Sequence, residues 1–278
     1  MTLESWKRTP GWRSAVRWYL SRPFRALAAA RGLPGRARAT SWELARLMAW
    51  STVRSGSSIT AATPGDCSVE FAADTLIGRN LWTTGAFEPC ELDAAFGMSS
   101  PGTYTFDVGA NVGLFTVVMS RGVGPDGRVE PVANTLGCLR SNLERNQCTN
   151  VEVVEGAAAD SPGEIGLLMT DDPAFHSAGG KLMPGHPLVR TVRVKAYTLD
   201  AVWIAAGRPP VSLVKIDVEG GEQAVLLGAA QMIQHCRPAV IIEVADPQEL
   251  SQIAALLHGY RQEPAAGFEP YNYLMVSE

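Results

Sequence analysis

The sequence predicts an α/β protein built on a mostly parallel sheet. Two observations carry this. From Tyr104 onward, apolar runs of strand length alternate with segments of helical spacing, the order that a parallel sheet covered on both faces requires. The run Thr105-Phe106-Asp107-Val108-Gly109-Ala110-Asn111-Val112-Gly113-Leu114-Phe115-Thr116 gives strand, glycine turn and helix start in immediate succession. Glycines in such a turn let backbone N–H groups approach a nucleotide-like ligand, and the helix N-terminus favours polar or anionic atoms.

Composition sets the limits. The chain has 278 residues, 46% of them hydrophobic, which suffices for one large or two modest domains with a buried core. No apolar run approaches the ~18 residues of a membrane span, and the first residues are rich in tryptophan and arginine where a signal peptide would be apolar. A cytoplasmic location is expected. Cys67, Cys90, Cys138, Cys148 and Cys236 form an odd set without a C-x-x-C pair, so free thiols are expected rather than disulfides or a zinc site. His176, His186, His235 and His258 show no metal-ligand spacing.

The net charge of −4 hides an asymmetry. Residues 1–54 hold eleven Lys/Arg against Glu4 and Glu43, a net +9, interleaved with Trp6, Trp12, Trp18, Tyr19 and Phe24. Pro10, Pro23 and Pro34 divide this stretch into short helical pieces. Such a segment suits an anionic membrane surface, a nucleic acid, or the acidic remainder of the same chain. The last is preferred because the complementary charge is already present. The domain reading is therefore a basic, largely helical extension over 1–68 and a main domain over 69–278, with 69–103 as its lead-in.

Around the start of the lead-in, 55–68 reads as a loop, and Val69–Phe71 and Asp74–Gly78 as extended pieces able to form a hairpin. A helix follows over Cys90–Phe96. The main alternation then gives strand Tyr104–Val108, helix Val112–Arg121, strand Arg128–Glu130, helix Asn134–Gln147 and strand Val151–Val154. Ile165–Met169 and Val189–Val194 are further extended segments around the polar loop Thr170–Leu188. Strand Val211–Ile216, helix Glu222–Ile233, strand Ala239–Val244 and helix Gln248–Leu257 come next, before an antiparallel pair at Tyr260–Gln262 and Tyr273–Val276.

Ligands of such sheets bind at the carboxyl ends of the strands. Asp107, Glu130, Asp217 and Glu243 all fall there. Glu130 suits a ribose, because two carboxylate oxygens can accept from both vicinal hydroxyls. Asp107 can anchor loop N–H groups or meet a cationic amine, and it repels phosphate. Asp217 is open to two readings, a base or metal ligand and a cap for the helix opened by Gly220-Gly221; Glu219 is read as structural. Lys215, inside a buried strand, calls for an ion pair with an acidic neighbour. Glu243 can bind substrate, ligate a metal or pair with Lys215. His176, in the polar loop, has the ordinary pKa of a general base, with a solvated loop histidine as the plainer reading.

These residues carry a resemblance. Phe106–Gly113, Glu130-Pro131 and Leu213-Val-Lys-Ile-Asp-Val-Glu-Gly220 are similar to the S-adenosylmethionine-dependent methyltransferases of the FkbM family, supported by Gly85–Pro89, Ala157–Asp160 and Arg237–Glu243. The resemblance covers roughly residues 71–245. It implies a class I, Rossmann-like methyltransferase fold with a seven-stranded, mostly parallel sheet whose last strand is antiparallel. It also implies that Asp107, Gly109, Ala110, Asn111 and Gly113 cradle the methionine portion of the cofactor, with Glu130 and Pro131 on the ribose and Ala157 on the adenine. Phe87 and Glu88 would close over it, and Asp217 would border it. Val132-Ala133 stand where the family usually has asparagine and proline, and Ala159 where serine is common.

The implied reaction is O-methylation of a hydroxyl on a sugar or secondary metabolite, as in natural product biosynthesis. Asp217, Glu243 or His176 would take the proton, and a divalent metal is a possible but unsupported helper. The implied partner is a small hydroxylated acceptor. Nucleic acid is not expected, given the acidic main domain and the absence of an Asn/Asp-Pro-Pro-aromatic motif; peripheral membrane contact is disfavoured, and a homo-oligomer is left open. The competing reading is a catalytically silent S-adenosylmethionine-binding protein whose basic N-terminus docks a partner or membrane.

Overall fold

The computed structural model describes residues 58–73, 75–84, 86–133, 136–170, 177 and 187–278. The chain forms two compact units, 1–87 and 88–278. The expected helical pieces of 1–54 and His176 lie outside the described residues.

In the first unit, β1 (Ser58–Thr63) and β2 (Cys67–Ala72) form an antiparallel hairpin from Ser58 opposite Ala72 to Thr63 opposite Cys67. Gly65 and Asp66 turn the chain at positive φ, and Ile59, Cys67, Val69 and Phe71 are buried. Helix α1 (Leu76–Thr84) packs on both strands. The expectation for this stretch is corrected in two ways. Residues 58–63, expected as loop because of their Ser, Thr and Gly neighbours, are a strand that alternates exposed and buried positions. Leu76–Gly78, expected as extended, begin a helix, because the Thr75 hydroxyl accepts the Gly78 N–H at 3.2 Å and so satisfies one of its free donors. The expected boundary at 68/69 falls inside β2.

The second unit opens with α2 (Pro89–Met98), whose Pro89 lacks only an N–H that the first turn leaves unused. There follow β3 (Tyr104–Val108), α3 (Leu114–Val123), β4 (Arg128–Ala133), α4 (Leu136–Arg145), β5 (Val154–Glu155), β6 (Ala157–Ala158), β7 (Gly163–Thr170) and β8 (Leu188–Tyr197). The chain continues with α5 (Leu199–Ala205), β9 (Val211–Ile216), α6 (Glu222–Leu227), α7 (Ala230–Cys236), β10 (Ala239–Glu243), α8 (Pro247–Leu256), β11 (Tyr260–Glu263) and β12 (Asn272–Ser277).

Seven strands form the main sheet in the order β11-β12-β10-β9-β3-β4-β5. β10, β9, β3, β4 and β5 are mutually parallel, and β12 runs antiparallel to both β10 and β11. The central strands are apolar on both faces because helices cover both. Phe106, Val108, Val214, Ile216, Val240 and Ile242 pack with residues of α5, α6, α7 and α8 such as Leu199, Trp203, Val225, Met232 and Ile253. The intervening positions face the other way, where α2 and α3 pack on each other and on the sheet. β6, β8 and β7 form a separate three-stranded sheet.

Element ends differ from expectation in several places, and the differences near the strand exits have physical reasons. β4 continues three residues past Glu130, since Pro131 fits extended backbone and pairing with β5 begins only at Val132. Val151 meets Val129 in a lone bridge, and the regular third strand is Val154–Glu155. The helix expected over 222–233 is two helices. The Asp200 carboxylate accepts the Gln231 and Met232 N–H groups at 3.0 and 2.8 Å, and the Asp200 N–H donates to the Gly228 carbonyl. A Cβ at Gly228 would lie 2.0 Å from the Ala159 carbonyl oxygen, so only glycine allows this approach.

Candidate active site

Strand register and the two-residue period of side chains assemble the site. Asp107 of β3 lies opposite Lys215 of β9, which lies opposite Ile241 of β10. All three belong to the face covered by α2 and α3, and so does Asp217, two residues beyond Lys215. Lys215 is buried, and its ammonium donates to Asp217 Oδ2 at 2.7 Å while lying 4.8 Å from the centre of the Phe115 ring on α3. The expected ion pair of Lys215 is thus present, and its partner is Asp217 rather than Glu243. Asp217 is not the cap of α6, whose start carries no side-chain cap; Glu222, in its first turn, accepts the Gly220 N–H at 2.9 Å.

Asp107 is fully buried. Its Oδ2 accepts from the Thr116 hydroxyl in the first turn of α3, and its Oδ1 has no hydrogen-bond partner. Burial raises the Asp107 pKa, against the pull of Lys215 and of the Thr116 hydrogen bonds. The glycine loop answers a different demand from the one expected. A Cβ at Gly109 would lie 1.6 Å from the Asp217 carbonyl oxygen, and one at Gly113 would lie 2.5 Å from Leu139 Cδ1. Both glycines have φ near +90°, so they let the loop pack on the end of β9 and on α4. The Asp217 N–H donates to the Val108 carbonyl at 3.0 Å, locking the ends of β3 and β9 together, and the Gly113 N–H closes the turn on the Ala110 carbonyl at 2.7 Å. Asn111 sits in the turn at φ +46°.

Around Lys215 the carboxylates outnumber the cations. Glu88 precedes α2 at φ +44°, and its pKa is pushed up to about 8 by burial, with Asp217 and Glu91 adding and Lys215 and an Asn272 hydrogen bond opposing. Glu219 is raised to about 7 by burial and by Asp217 and Glu222. Glu243, opposite Asn272 at the end of β10, is raised to about 9 by burial and by Asp217, Glu219 and Glu88. For Lys215 burial works downward, but Asp217, Asp107 and Glu88 outweigh it and the net shift is upward. The result is one held cation inside a set of carboxyl groups, several of which keep their protons at neutral pH.

Of the residues singled out from sequence, the fold brings Glu88, Asp107 and Glu243 each into electrostatic contact with Asp217 and Lys215. Glu130 lies opposite Phe106 and Pro131 opposite Asp107, one strand away. Ala157 starts β6 directly beyond the carboxyl end of β5, buried and opposite Ala196. Phe87 is the last residue of the first unit. Among the described residues no group of three His, Cys, Asp or Glu is placed to hold a metal ion, and the five cysteines are free. Sequence reasoning missed Thr116, Asn272 and Ser177. Only Thr116 leaves a local signal, as a hydroxyl in the first turn after the loop.

A parallel sheet with this order, an antiparallel strand inserted beside its edge, and an acidic residue beneath a glycine turn define a class I methyltransferase fold. The model of the methyltransferase FkbM domain matches residues 107–269, more than half of the chain, and the protein belongs to that family. No curated protein matches it. Among solved structures it is similar to the FkbM methyltransferase from Methylobacillus flagellatus, at 16% identity and a TM-score of 0.44 over 71% of this chain and 52% of that one. It therefore spans about half the length of that relative. The precorrin-6y C5,15-methyltransferase from Geobacter metallireducens matches at 15% identity and TM-score 0.41, over 68% of this chain and 86% of that one. An O-methyltransferase from Bacillus cereus in complex with SAH matches at 14% and 0.40, over 68% and 80%.

Proposed function

We propose that the protein is an S-adenosylmethionine-dependent O-methyltransferase acting on a hydroxyl of a small molecule, a sugar or secondary metabolite. The observation that carries this is the row Asp107, Lys215 and Asp217 beneath the glycine turn, with one buried, unpartnered oxygen on Asp107. A buried carboxylate oxygen without a donor is costly, and a ligand ammonium relieves that cost. A ligand that brings positive charge favours ionisation of these carboxyl groups, whereas a dinucleotide phosphate would oppose it.

S-adenosylmethionine supplies an activated methyl group on a positively charged sulfur. In this reading Asp107 and the 109–113 backbone hold its amino-acid end, Glu130 with Pro131 its ribose, and Ala157 its adenine, with Glu88 covering it. Asp217 and Glu243 border the acceptor, whose hydroxyl must lose a proton as it is methylated. We also infer a cytoplasmic location; the net +9 of residues 1–54 is opposite in sign to the charge of the rest of the sequence. Incubation with S-adenosylmethionine and a panel of hydroxylated sugars and natural products, read by mass spectrometry, tests the reading. Gain of one methyl on an acceptor oxygen supports it; methylation confined to nitrogen or carbon would overturn the O-methyl assignment. Asp217→Asn and a chelator, run in parallel, separate side-chain from metal assistance.

A further inference from the structure

Three carboxylates stand at the exits of β9 and β10, and they are not equivalent. Asp217 is engaged by the Lys215 ammonium at 2.7 Å. Glu243 ends β10, where burial, and then the field of Asp217, Glu219 and Glu88, pushes its pKa up to about 9. Glu219 differs from both in its backbone, which is held in an unusual state. Its φ of +57° is a left-handed conformation that few non-glycine residues adopt.

The Glu219 carbonyl is held by Ser177. The Ser177 hydroxyl donates to the Glu219 carbonyl oxygen at 2.6 Å, and Ser177 is buried. Its own backbone is fixed in turn, because Ser177 and Leu168 exchange N–H and carbonyl hydrogen bonds of 2.8 and 3.0 Å on β7. One residue of the polar loop therefore ties the three-stranded sheet to the exit of β9. Among the described residues no hydrogen bond reaches the Glu219 carboxylate, which lies in the field of Asp217, Glu222 and Lys215.

We propose that Glu219 is the catalytic residue that takes the acceptor's proton, and that Ser177 is the positioning residue that holds it there. This rests on the methyl-transfer reading above. As the hydroxyl oxygen bonds to the methyl carbon, the carbon–sulfur bond breaks with its electron pair passing to sulfur. The hydroxyl proton passes to a Glu219 carboxylate oxygen. The ordinary glutamate pKa is raised to about 7, near the value at which a general base is most effective at neutral pH.

The test uses the full chain saturated with S-adenosylhomocysteine and labelled with carboxyl-¹³C glutamate, the Glu219 signal being identified by its loss in Glu219→Gln. Carbon NMR should give a midpoint near 7 in the wild type. In Ser177→Ala, where the backbone is free to relax and the carboxylate to reach solvent, the midpoint should fall by about one unit or more toward the ordinary value. Ser177→Thr, which keeps the hydroxyl, should restore it. Glu219→Gln should lower methyl transfer to the acceptor found by mass spectrometry about 10²–10⁴-fold, with S-adenosylmethionine affinity unchanged. An unshifted Glu219 titration in Ser177→Ala overturns the positioning role, and full turnover by Glu219→Gln overturns the base. Failure of the wild type to bind S-adenosylhomocysteine instead sinks the methyl-transfer reading itself.

Discussion

Lys215 shows how one residue governs the site. It is a buried ammonium facing Asp217, Asp107 and Glu88, and its removal leaves those carboxylates facing one another. Lys215→Met should therefore destabilise the protein by about 3–5 kcal/mol at pH 8, and by less at pH 5.5 where the carboxyls regain protons, as read by urea unfolding at the two pH values. The raised carboxyls give a second expectation. Glu243 has a folded pKa of about 9 against 4.5 for the ordinary group, so the folded state keeps a proton that the unfolded chain releases above about pH 4.5. Its contribution to stability is complete below that pH and is lost progressively as pH rises toward 9. The melting temperature of the ligand-free protein should fall between about pH 5.5 and 8.5, and Glu243→Gln should flatten that fall. A steeper fall in the variant would contradict the assignment. Gly109→Ala places a methyl group on the Asp217 carbonyl at a positive φ, and should cost about 2–4 kcal/mol in the same unfolding measurement. The ion pair of Lys215 is legible in the sequence because a lysine inside an apolar strand must find a partner. The Ser177 and Thr116 bonds are not, because they depend on which segments the fold brings together.

At the scale of elements, the break between α6 and α7 depends on one carboxylate from α5. Asp200 is buried and accepts two N–H groups at the start of α7. Asp200→Ala should cost about 1.5–3 kcal/mol in chemical denaturation, because it strands those donors; Asp200→Asn should recover part of that loss. The apolar periodicity of 222–233 continues through the break, which is why the sequence reads as one helix. Only the distant Asp200 and the close approach of Gly228 to Ala159 divide it. The hairpin of the first unit is obscured for a different reason. Pro64, Gly65 and Asp66 have the composition of a linker, although they are the turn that pairs Ser58–Thr63 with Cys67–Ala72. The parallel strands, by contrast, lie nearly where the apolar runs predict them. Val211–Ile216 and Ala239–Glu243 are apolar on both faces and are bounded by turn residues.

For the whole molecule, strand–helix alternation makes the sheet legible, and the carboxyl-end rule alone is enough to group Asp107, Asp217 and Glu243. Glu130 departs from that rule: it lies inside β4 rather than at its end, because a proline can extend a strand where no ladder bond is needed. The glycine pattern marks the right position for an incomplete reason, since Gly109 and Gly113 answer to β9 and α4 as well as to a ligand. The central claim is that this turn, with Asp107 beneath it, receives S-adenosylmethionine. Isothermal titration of the wild type and of Asp107→Ala with S-adenosylmethionine tests it most directly. Saturable 1:1 binding by the wild type, weakened at least about tenfold in a still-folded Asp107→Ala protein, is the predicted result. Absence of binding by the wild type at millimolar cofactor, or equal affinity in the variant, would contradict it.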